Sequence, residues 1–155
     1  MRTVGVEEEL LIVEPATGEA LALASLLLDA VPPAPGAAVG GRMQHELQEQ
    51  QIEIDSRPHL TLSGLAKDLR EWRLAADASA RRAGARVAAL GTSPLEVVPT
   101  TVPTPRYRRM ADRYALLEHE QLTCGCHVHV SVESDEEAVA VIDRIRVWLP
   151  VLLAL

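Results

Sequence analysis

The chain has 155 residues, enough for one domain with a core, and 48% of them are hydrophobic, with phenylalanine absent. Its 15 Lys and Arg residues against 22 Asp and Glu give a net charge of −7, which argues against general binding to nucleic acids or anionic membranes. No apolar run reaches about 18 residues, so we expect no transmembrane helix. We expect a cytoplasmic protein, because Arg2 precedes a strand pattern and not the apolar stretch of a signal peptide.

The segment Thr3–Val13 has the composition of a β-strand, with aliphatic residues around three consecutive acids. Alternation places Glu7 and Glu9 on one face of this strand. The opposite face carries Val4, Val6, Leu10 and Ile12. Two carboxylates on one face repel each other unless a cation binds between them, and hard divalent cations prefer carboxylate oxygens. The segment therefore indicates a metal site or a solvated sheet edge, and neither gives a role to Glu8, which alternation places among the aliphatic residues.

A second acidic segment, Arg42–Ser56, ends in the strand pattern Gln51–Asp55. The polar side chains on one face of this strand are Gln51, Glu53 and Asp55. A helix over Glu46–Gln51 is the alternative, since Glu and Gln favour helices. By itself, the segment is typical of a hydrophilic surface strand.

The clearest helix pattern covers Thr61–Ala83, where apolar residues recur at helical spacing and a packing role is sufficient. A shorter helix is expected at Leu21–Val31, followed by a loop rich in Pro and Gly that extends to Gly41. A buried strand is expected at Ala85–Leu90. Tyr107–Glu118 predicts a helix with four nearby arginines, which either meet phosphate and carboxylate groups or form a solvated face.

The third informative segment is Thr123–Val132, which has a strand pattern. Alternation places His127 and His129 on one face, and two imidazoles on one face can both reach a metal or an anionic ligand. The other face carries Val128, Val130 and Val132. Because His-x-His occurs in unrelated metal proteins, the spacing alone does not identify the chemistry.

The last helix is predicted to begin with a capping box at Ser134 and to be kinked or broken at Pro150. The sequence then stops after the apolar residues Val151–Leu155. A domain that ends this way suggests an interrupted chain.

Three motifs occur in the order Gly5-Val6-Glu7-Glu8-Glu9, Glu46-Leu47 with Gln51-Ile52-Glu53, and Cys124-Gly125-Cys126-His127-Val128-His129-Val130. Together, and with the ending Trp148–Leu155, they resemble the N-terminal part of the type 2 glutamate–cysteine ligase family of bacterial carboxylate–amine ligases. The resemblance implies a glutamine-synthetase-like catalytic fold, whose antiparallel sheet forms an open funnel lined with acidic metal ligands.

The resemblance also implies a reaction. ATP phosphorylates the γ-carboxylate of glutamate, and the amino group of cysteine then attacks the acyl phosphate, a step of glutathione biosynthesis. Mg²⁺ would neutralise charge during phosphoryl transfer. The metal ligands that the resemblance implies are Glu7, Glu9, Glu53 and Glu46. The active-site histidine that it implies is His127, with His129 beside it.

Members of this family are more than twice as long as this chain. We therefore expect residues 1–155 to be the N-terminal portion of one catalytic domain, with an incomplete site and a tendency to self-associate or form homo-oligomers. The residues that bind ATP are not identified, and another carboxylate or amine can take the place of glutamate or cysteine. The alternatives are a metal-dependent hydrolase that uses His127, His129 and the acids, or an inactive fragment or interaction module.

The patterns together predict an α+β fold, a mainly antiparallel sheet with helices on one face. Its expected strands are Thr3–Val13, Gln51–Asp55, Ala85–Leu90 and Thr123–Val132. Glu7, Glu9, Glu53 and His127 are expected to converge on the other, concave face. The expected partners are small molecules and not nucleic acids or membranes.

Overall fold

The computed structural model describes residues 1–29 and 41–154. In this part of the chain, five strands form one antiparallel sheet. They are β1 (Val4–Val13), β2 (Arg42–His45), β3 (Gln51–Asp55), β4 (Arg86–Ala88) and β5 (Cys126–Val130). β1 is central: β3 pairs with one edge and β2 lies beyond it, while β4 and β5 share the other edge. The predicted α+β fold is confirmed, with its strands in a single sheet.

Six α-helices lie within the described residues. They are α1 (Ala24–Asp29), α2 (Leu62–Arg82), α3 (Pro105–Tyr114), α4 (Leu116–Glu120), α5 (Asp135–Ile145) and α6 (Leu149–Leu153). Thr61 caps α2, because its hydroxyl accepts the N–H of Gly64 at 3.1 Å. Ser134 caps α5 through the N–H of Glu137. None of the helices described is both long and apolar enough to cross a membrane.

The core lies between the sheet and α1 and α2, because alternation in β1 and β3 directs their aliphatic side chains to that side. Its buried residues are Leu10, Ile12, Ala24, Leu27, Ile52, Ile54, Ala76, Ala80 and Ala85. Burying each large aliphatic side chain contributes about 1.5–3 kcal/mol. A slip of one residue would reverse both faces of a strand, so this core also fixes which polar side chains meet on the opposite face.

Glu8 lies on the core side of β1, and the structure shows a role for it that the sequence did not indicate. Its side chain is bound by the guanidinium of Arg73 on α2, from Nε to Oε2 at 2.6 Å and from Nη2 to Oε1 at 2.7 Å. Glu8 is only 6% exposed, so this bidentate pair compensates for the loss of water around its carboxylate. The pair also fastens α2 to the central strand.

Three expected elements are shorter or divided. The strand expected over Thr123–Val132 contains only the five residues of β5. The helix expected over Tyr107–Glu118 is instead the pair α3 and α4, because Ala115 has a φ of 45° that ends α3. The buried strand expected over Ala85–Leu90 contains only the three residues of β4, none of which is fully buried.

Other expectations concern the chain before β3. The alternative helix over Glu46–Gln51 is wrong, because residues 46–50 form the turn between β2 and β3. The helix expected at Leu21–Val31 begins only at Ala24. The end expected for it at Val31, and the Pro- and Gly-rich loop as far as Gly40, lie outside the described residues.

The last helices present apolar side chains to solvent. A 3₁₀ turn at Arg146–Trp148 separates α5 from α6, which agrees with the break predicted at Pro150, since proline has no N–H to continue the helix. Within the described residues, no side chain of α5 or α6 is buried. On β5, Val128 is 65% exposed and Val130 is 53% exposed. Such surfaces favour association.

The pairing of Arg73 with Glu8 makes a prediction about stability. Replacing Arg73 with Met leaves a buried carboxylate without its donor, so we expect the free energy of unfolding to fall by about 1–3 kcal/mol. Arg70→Met, at another exposed arginine of α2, is the matched control and should change stability by no more than about 0.5 kcal/mol. Urea unfolding measures both variants, and equal stabilities for them would contradict this role of Glu8.

Candidate metal centre

The register of the sheet brings the predicted site residues together on the face opposite α1 and α2. In the pairing of β1 with β3, Glu9 lies opposite Glu53, and Glu7 lies opposite Asp55. In the pairing of β1 with β5, Glu7 lies opposite His127. The acids therefore meet because hydrophobic packing on the other face sets the register.

Carboxylate oxygens converge here in two overlapping groups. One oxygen from each of Glu9, Glu46 and Glu53 lies within 4.8 Å of the other two, and the same is true of Glu7, Glu53 and Asp55. Glu46 comes from the turn after β2, and Glu53 belongs to both groups. The structure thus brings together the four predicted metal ligands, whose role as ligands stays a prediction.

Burial and crowding raise the pKa values of acids in the cluster. The pKa of Glu53 rises from 4.5 to about 8, chiefly because burial disfavours the charged form and next because Asp55 can accept a hydrogen bond from the protonated form. Gln44 opposes this rise by donating from Nε2 to Oε1 of Glu53 at 2.7 Å. Burial also raises the pKa of Glu9, against the N–H that Gly125 donates to it. Without a cation, the cluster therefore tends to retain a proton.

Asp55 is a candidate ligand that the sequence analysis placed on this face but did not assign to the metal. Its Oδ2 accepts from Nε of Arg42 at 2.7 Å. Its Oδ1 is buried and has no hydrogen-bond partner among the described residues. A buried oxygen without a donor calls for a water or an ion, and hard divalent cations prefer such oxygen ligands. The residues present therefore fit a divalent cation. In the sequence, Asp55 could have been identified as a ligand because alternation places it on the same strand face as Glu53.

The two histidines lie beside Glu7 at the rim of the cluster. Nδ1 of His127 is 3.3 Å from Oε2 of Glu7, and Nε2 of His129 is 3.1 Å from the same oxygen. Both side chains are more than half exposed. His127 and His129 lie on the same face, as predicted. Both contact Oε2 of Glu7, and neither of these contacts involves Oε1.

Tyr107 of α3 is a neighbour of the cluster that sequence reasoning missed. It is 8% exposed, and burial followed by the negative charge of Glu46 raises the pKa of its hydroxyl. No periodic pattern links α3 to the strands, so only the tertiary structure identifies this contact. The arginines near Tyr107 stay exposed, as on a solvated face: Arg106, Arg108, Arg109 and Arg113.

Helices cover one face of the antiparallel sheet, and clustered carboxylates lie on the other face. This arrangement defines an α+β protein with a site suited to divalent cations. The sequence model of glutamate-cysteine ligase family 2 matches residues 3–155. The chain therefore belongs to this family of ligases.

Named relatives agree with this assignment. "Putative glutamate--cysteine ligase 2-1" of Streptomyces avermitilis is 49% identical over 100% of this chain and 42% of its own length. "Putative glutamate--cysteine ligase 2-3" of Paenarthrobacter aurescens is 52% identical over 100% of this chain and 35% of its own length. "Putative glutamate--cysteine ligase 2" of Streptomyces coelicolor is 51% identical over 100% of this chain and 42% of its own length. The chain thus spans about two fifths of the length of the curated relatives it matches.

The raised pKa of Glu53 predicts a dependence of stability on pH. Between the ordinary value of 4.5 and about 8, the folded state retains a proton that the unfolded state has released, so the free energy of unfolding should fall as pH rises through this range. Mg²⁺ should displace the proton and lower the apparent pKa. Urea unfolding at several pH values measures the first effect, and carboxyl-carbon NMR titration with and without Mg²⁺ measures the second.

Glu53→Gln is the control for this titration, because it removes the carboxyl and retains its size. The variant should lose the transition near pH 8. Wild-type protein in which every carboxyl titrates near its ordinary pKa would contradict the crowding of the cluster.

Proposed function

We propose that this chain is the metal-binding portion of an ATP-dependent carboxylate–amine ligase that forms γ-glutamylcysteine from glutamate and cysteine. The observation that carries the proposal is the convergence of Glu9, Glu46 and Glu53 on an open sheet face. Membership of the ligase family supports the type of reaction, and the names of the relatives support these substrates. The reaction belongs in the cytoplasm, where thiols are kept reduced.

The chain's own contribution to this chemistry is mainly a set of oxygen ligands. The side chains available to hold Mg²⁺ are Glu7, Glu9, Glu46, Glu53 and Asp55. When bound, Mg²⁺ supplies the positive charge that phosphoryl transfer from ATP requires. Without the ion, the same carboxylates repel a nucleoside triphosphate, so ATP binding should depend on the metal.

The histidines are placed for a different task. Because His127 and His129 flank Glu7 and stay accessible, an imidazole N–H can donate a hydrogen bond to a substrate carboxylate or phosphate oxygen. A neutral imidazole can also accept the proton that the amine of cysteine loses when it attacks the acyl phosphate. Both roles bring the imidazole into contact with substrate at the rim.

The reaction should need groups beyond those that this chain supplies. Phosphoryl transfer requires charge stabilisation from all sides of the phosphate, whereas this face offers mainly carboxylates. The relatives contain more than twice as many residues as the chain covers. We propose that their additional segments supply cationic groups that bind ATP and glutamate. The exposed apolar side chains of α5 and α6 are suited to pack against such a segment or against a second copy.

Coupled measurement of ADP release tests this proposal. We expect no useful turnover from the 155-residue chain alone with Mg²⁺, ATP, glutamate and cysteine. Co-expression with the part of the Streptomyces coelicolor relative that the chain does not cover should restore turnover that depends on Mg²⁺. Glu53→Ala should abolish it with little loss of fold, since the side chain lies on the open face.

Arg70→Met, on the opposite side of the sheet, is the control for turnover and should keep full activity. Rapid turnover by the chain alone would refute the division of the site. No turnover from well-folded complemented protein, across a panel of carboxylates and amines, would refute the ligase reaction.

A second candidate is a metal-dependent hydrolase, favoured by the contact of two imidazoles with one carboxylate oxygen of Glu7. A site of two histidines and a carboxylate suits zinc or manganese better than magnesium. Hydrolysis by the chain alone, with zinc or manganese and without nucleotide, is the result that would favour this candidate over the ligase.

A further inference from the structure

We propose that Gln51 and Gly125 are positioning residues that hold one oxygen of Glu9 and thereby direct its other oxygen to the cation. The inference rests on the proposed metal centre and deepens it. It assigns a role in ion binding to two uncharged residues, neither of which is a ligand.

The two residues bind the same carboxylate oxygen from different parts of the chain. The N–H of Gly125, just before β5, donates to Oε2 of Glu9 at 2.9 Å. The side-chain amide of Gln51, on β3, approaches the same oxygen at 3.3 Å. Oε2 is thus occupied by donors, whereas Oε1 is free of these contacts. A carboxylate with one oxygen fixed presents the other in a defined direction.

The backbone of Glu9 takes part in the same arrangement. Its N–H donates to the carbonyl of Gly125 at 2.9 Å, so Glu9 and Gly125 bond to each other in both directions. Gln51 secures this segment from the other side by donating to the carbonyl of Thr123 at 2.7 Å. At 2% exposure, Gln51 has little freedom to adopt another position. Glu9 is therefore held by β3 and by the residues that lead into β5.

Glycine at position 125 leaves room for both the free oxygen and a histidine. A Cβ added there would lie 3.4 Å from Oε1 of Glu9 and 3.2 Å from Nε2 of His127. The second distance is shorter than ordinary van der Waals contact, so the ring of His127 would have to move slightly. The ring of His127 is 60% exposed and can swing outward, which means that the fold should tolerate Gly125→Ala while the site changes.

A purely structural role makes a different prediction from positioning. A buried amide needs hydrogen-bond partners, and apart from Glu9 the amide of Gln51 donates to the carbonyl of Thr123 at 2.7 Å and to Sγ of Cys124 at 3.5 Å. If this were its whole role, its replacement would lower stability but leave the ion affinity of the folded protein unchanged. Metal affinity, measured beside stability, separates the two roles.

The experiment measures binding of Mn²⁺, used as a paramagnetic substitute for Mg²⁺, to the 155-residue chain by EPR and calorimetry. Gln51→Met removes the donors without changing charge. We expect Mn²⁺ affinity to fall by about 10- to 100-fold, as is typical when a residue that orients a ligand is replaced. Gly125→Ala keeps the N–H but places a methyl group 3.4 Å from Oε1 of Glu9, where it crowds the approach of the cation, so we expect weaker binding. Urea unfolding should show that this variant remains folded.

Matched controls are available for both variants. Gln50→Met replaces a neighbouring glutamine that is 3% exposed and donates to the carbonyl of Val98 instead. Gly91→Ala adds a methyl group that meets no atom within 4 Å. Both controls should bind Mn²⁺ within about twofold of wild type, even if Gln50→Met loses as much stability as Gln51→Met.

Failure of this inference is distinguishable from failure of the metal centre. Wild-type affinity in folded Gln51→Met overturns positioning by Gln51, provided that Glu53→Gln still lowers binding. On the same condition, wild-type affinity in folded Gly125→Ala overturns the need for glycine beside Oε1 of Glu9. Loss of binding in Gln50→Met and Gln51→Met alike assigns the effect to general destabilisation and overturns positioning by Gln51. Wild-type protein that binds no Mn²⁺ overturns the metal centre and this inference together.

Discussion

The fold holds several carboxylates close together on the acidic face. The chemical properties of this face follow from the repulsion among them. Glu53 lies within reach of oxygens from Glu7, Glu9, Glu46 and Asp55, and its partial burial limits how far water can screen this repulsion. Only a proton, a cation or a donated hydrogen bond can offset the charge in such a place. Gln44 donates a hydrogen bond to Glu53, and the raised pKa of Glu53 favours the proton, while a cation in this cluster is the proposal that the metal experiments test.

Packing on the far side of the sheet sustains this unfavourable arrangement. The aliphatic residues of β1 and β3 bury themselves against α1 and α2, and their register carries the acids into opposition. Glu8 shows the contrast within one strand: it points to the core side and is neutralised by Arg73, whereas its neighbours Glu7 and Glu9 have no guanidinium partner among the described residues. Within this strand, the acid on the core side is thus paired with a guanidinium, whereas the two acids on the open face are not.

Alternation was sufficient to predict the main features of this face. It placed Glu7, Glu9, Glu53 and the two histidines correctly because a strand with one buried face has little freedom in register. Glu46 came from the family resemblance, since it lies in a turn where no periodicity applies. The break between α3 and α4 at Ala115 was missed because a positive φ at alanine has no signature in the sequence.

Contacts between distant segments were beyond the reach of the sequence. The pairing of Glu8 with Arg73 and the approach of Gln51 to the Gly125 segment each join parts of the chain that only the tertiary fold brings together. Asp55 was visible on the acidic face, but its unpartnered oxygen became evident only from the burial of that oxygen. The strand face on which a side chain lies follows from the local sequence pattern. The hydrogen-bond partners of its atoms depend on the complete tertiary packing.

A crystal structure of the chain grown with Mn²⁺, with anomalous diffraction measured at the manganese edge, tests the account most directly. We expect an anomalous peak bound by oxygens of Glu9, Glu46 and Glu53, with metal–oxygen distances of roughly 2.0–2.4 Å. A well-ordered acidic face with no manganese peak among these residues, at saturating ion, would contradict it.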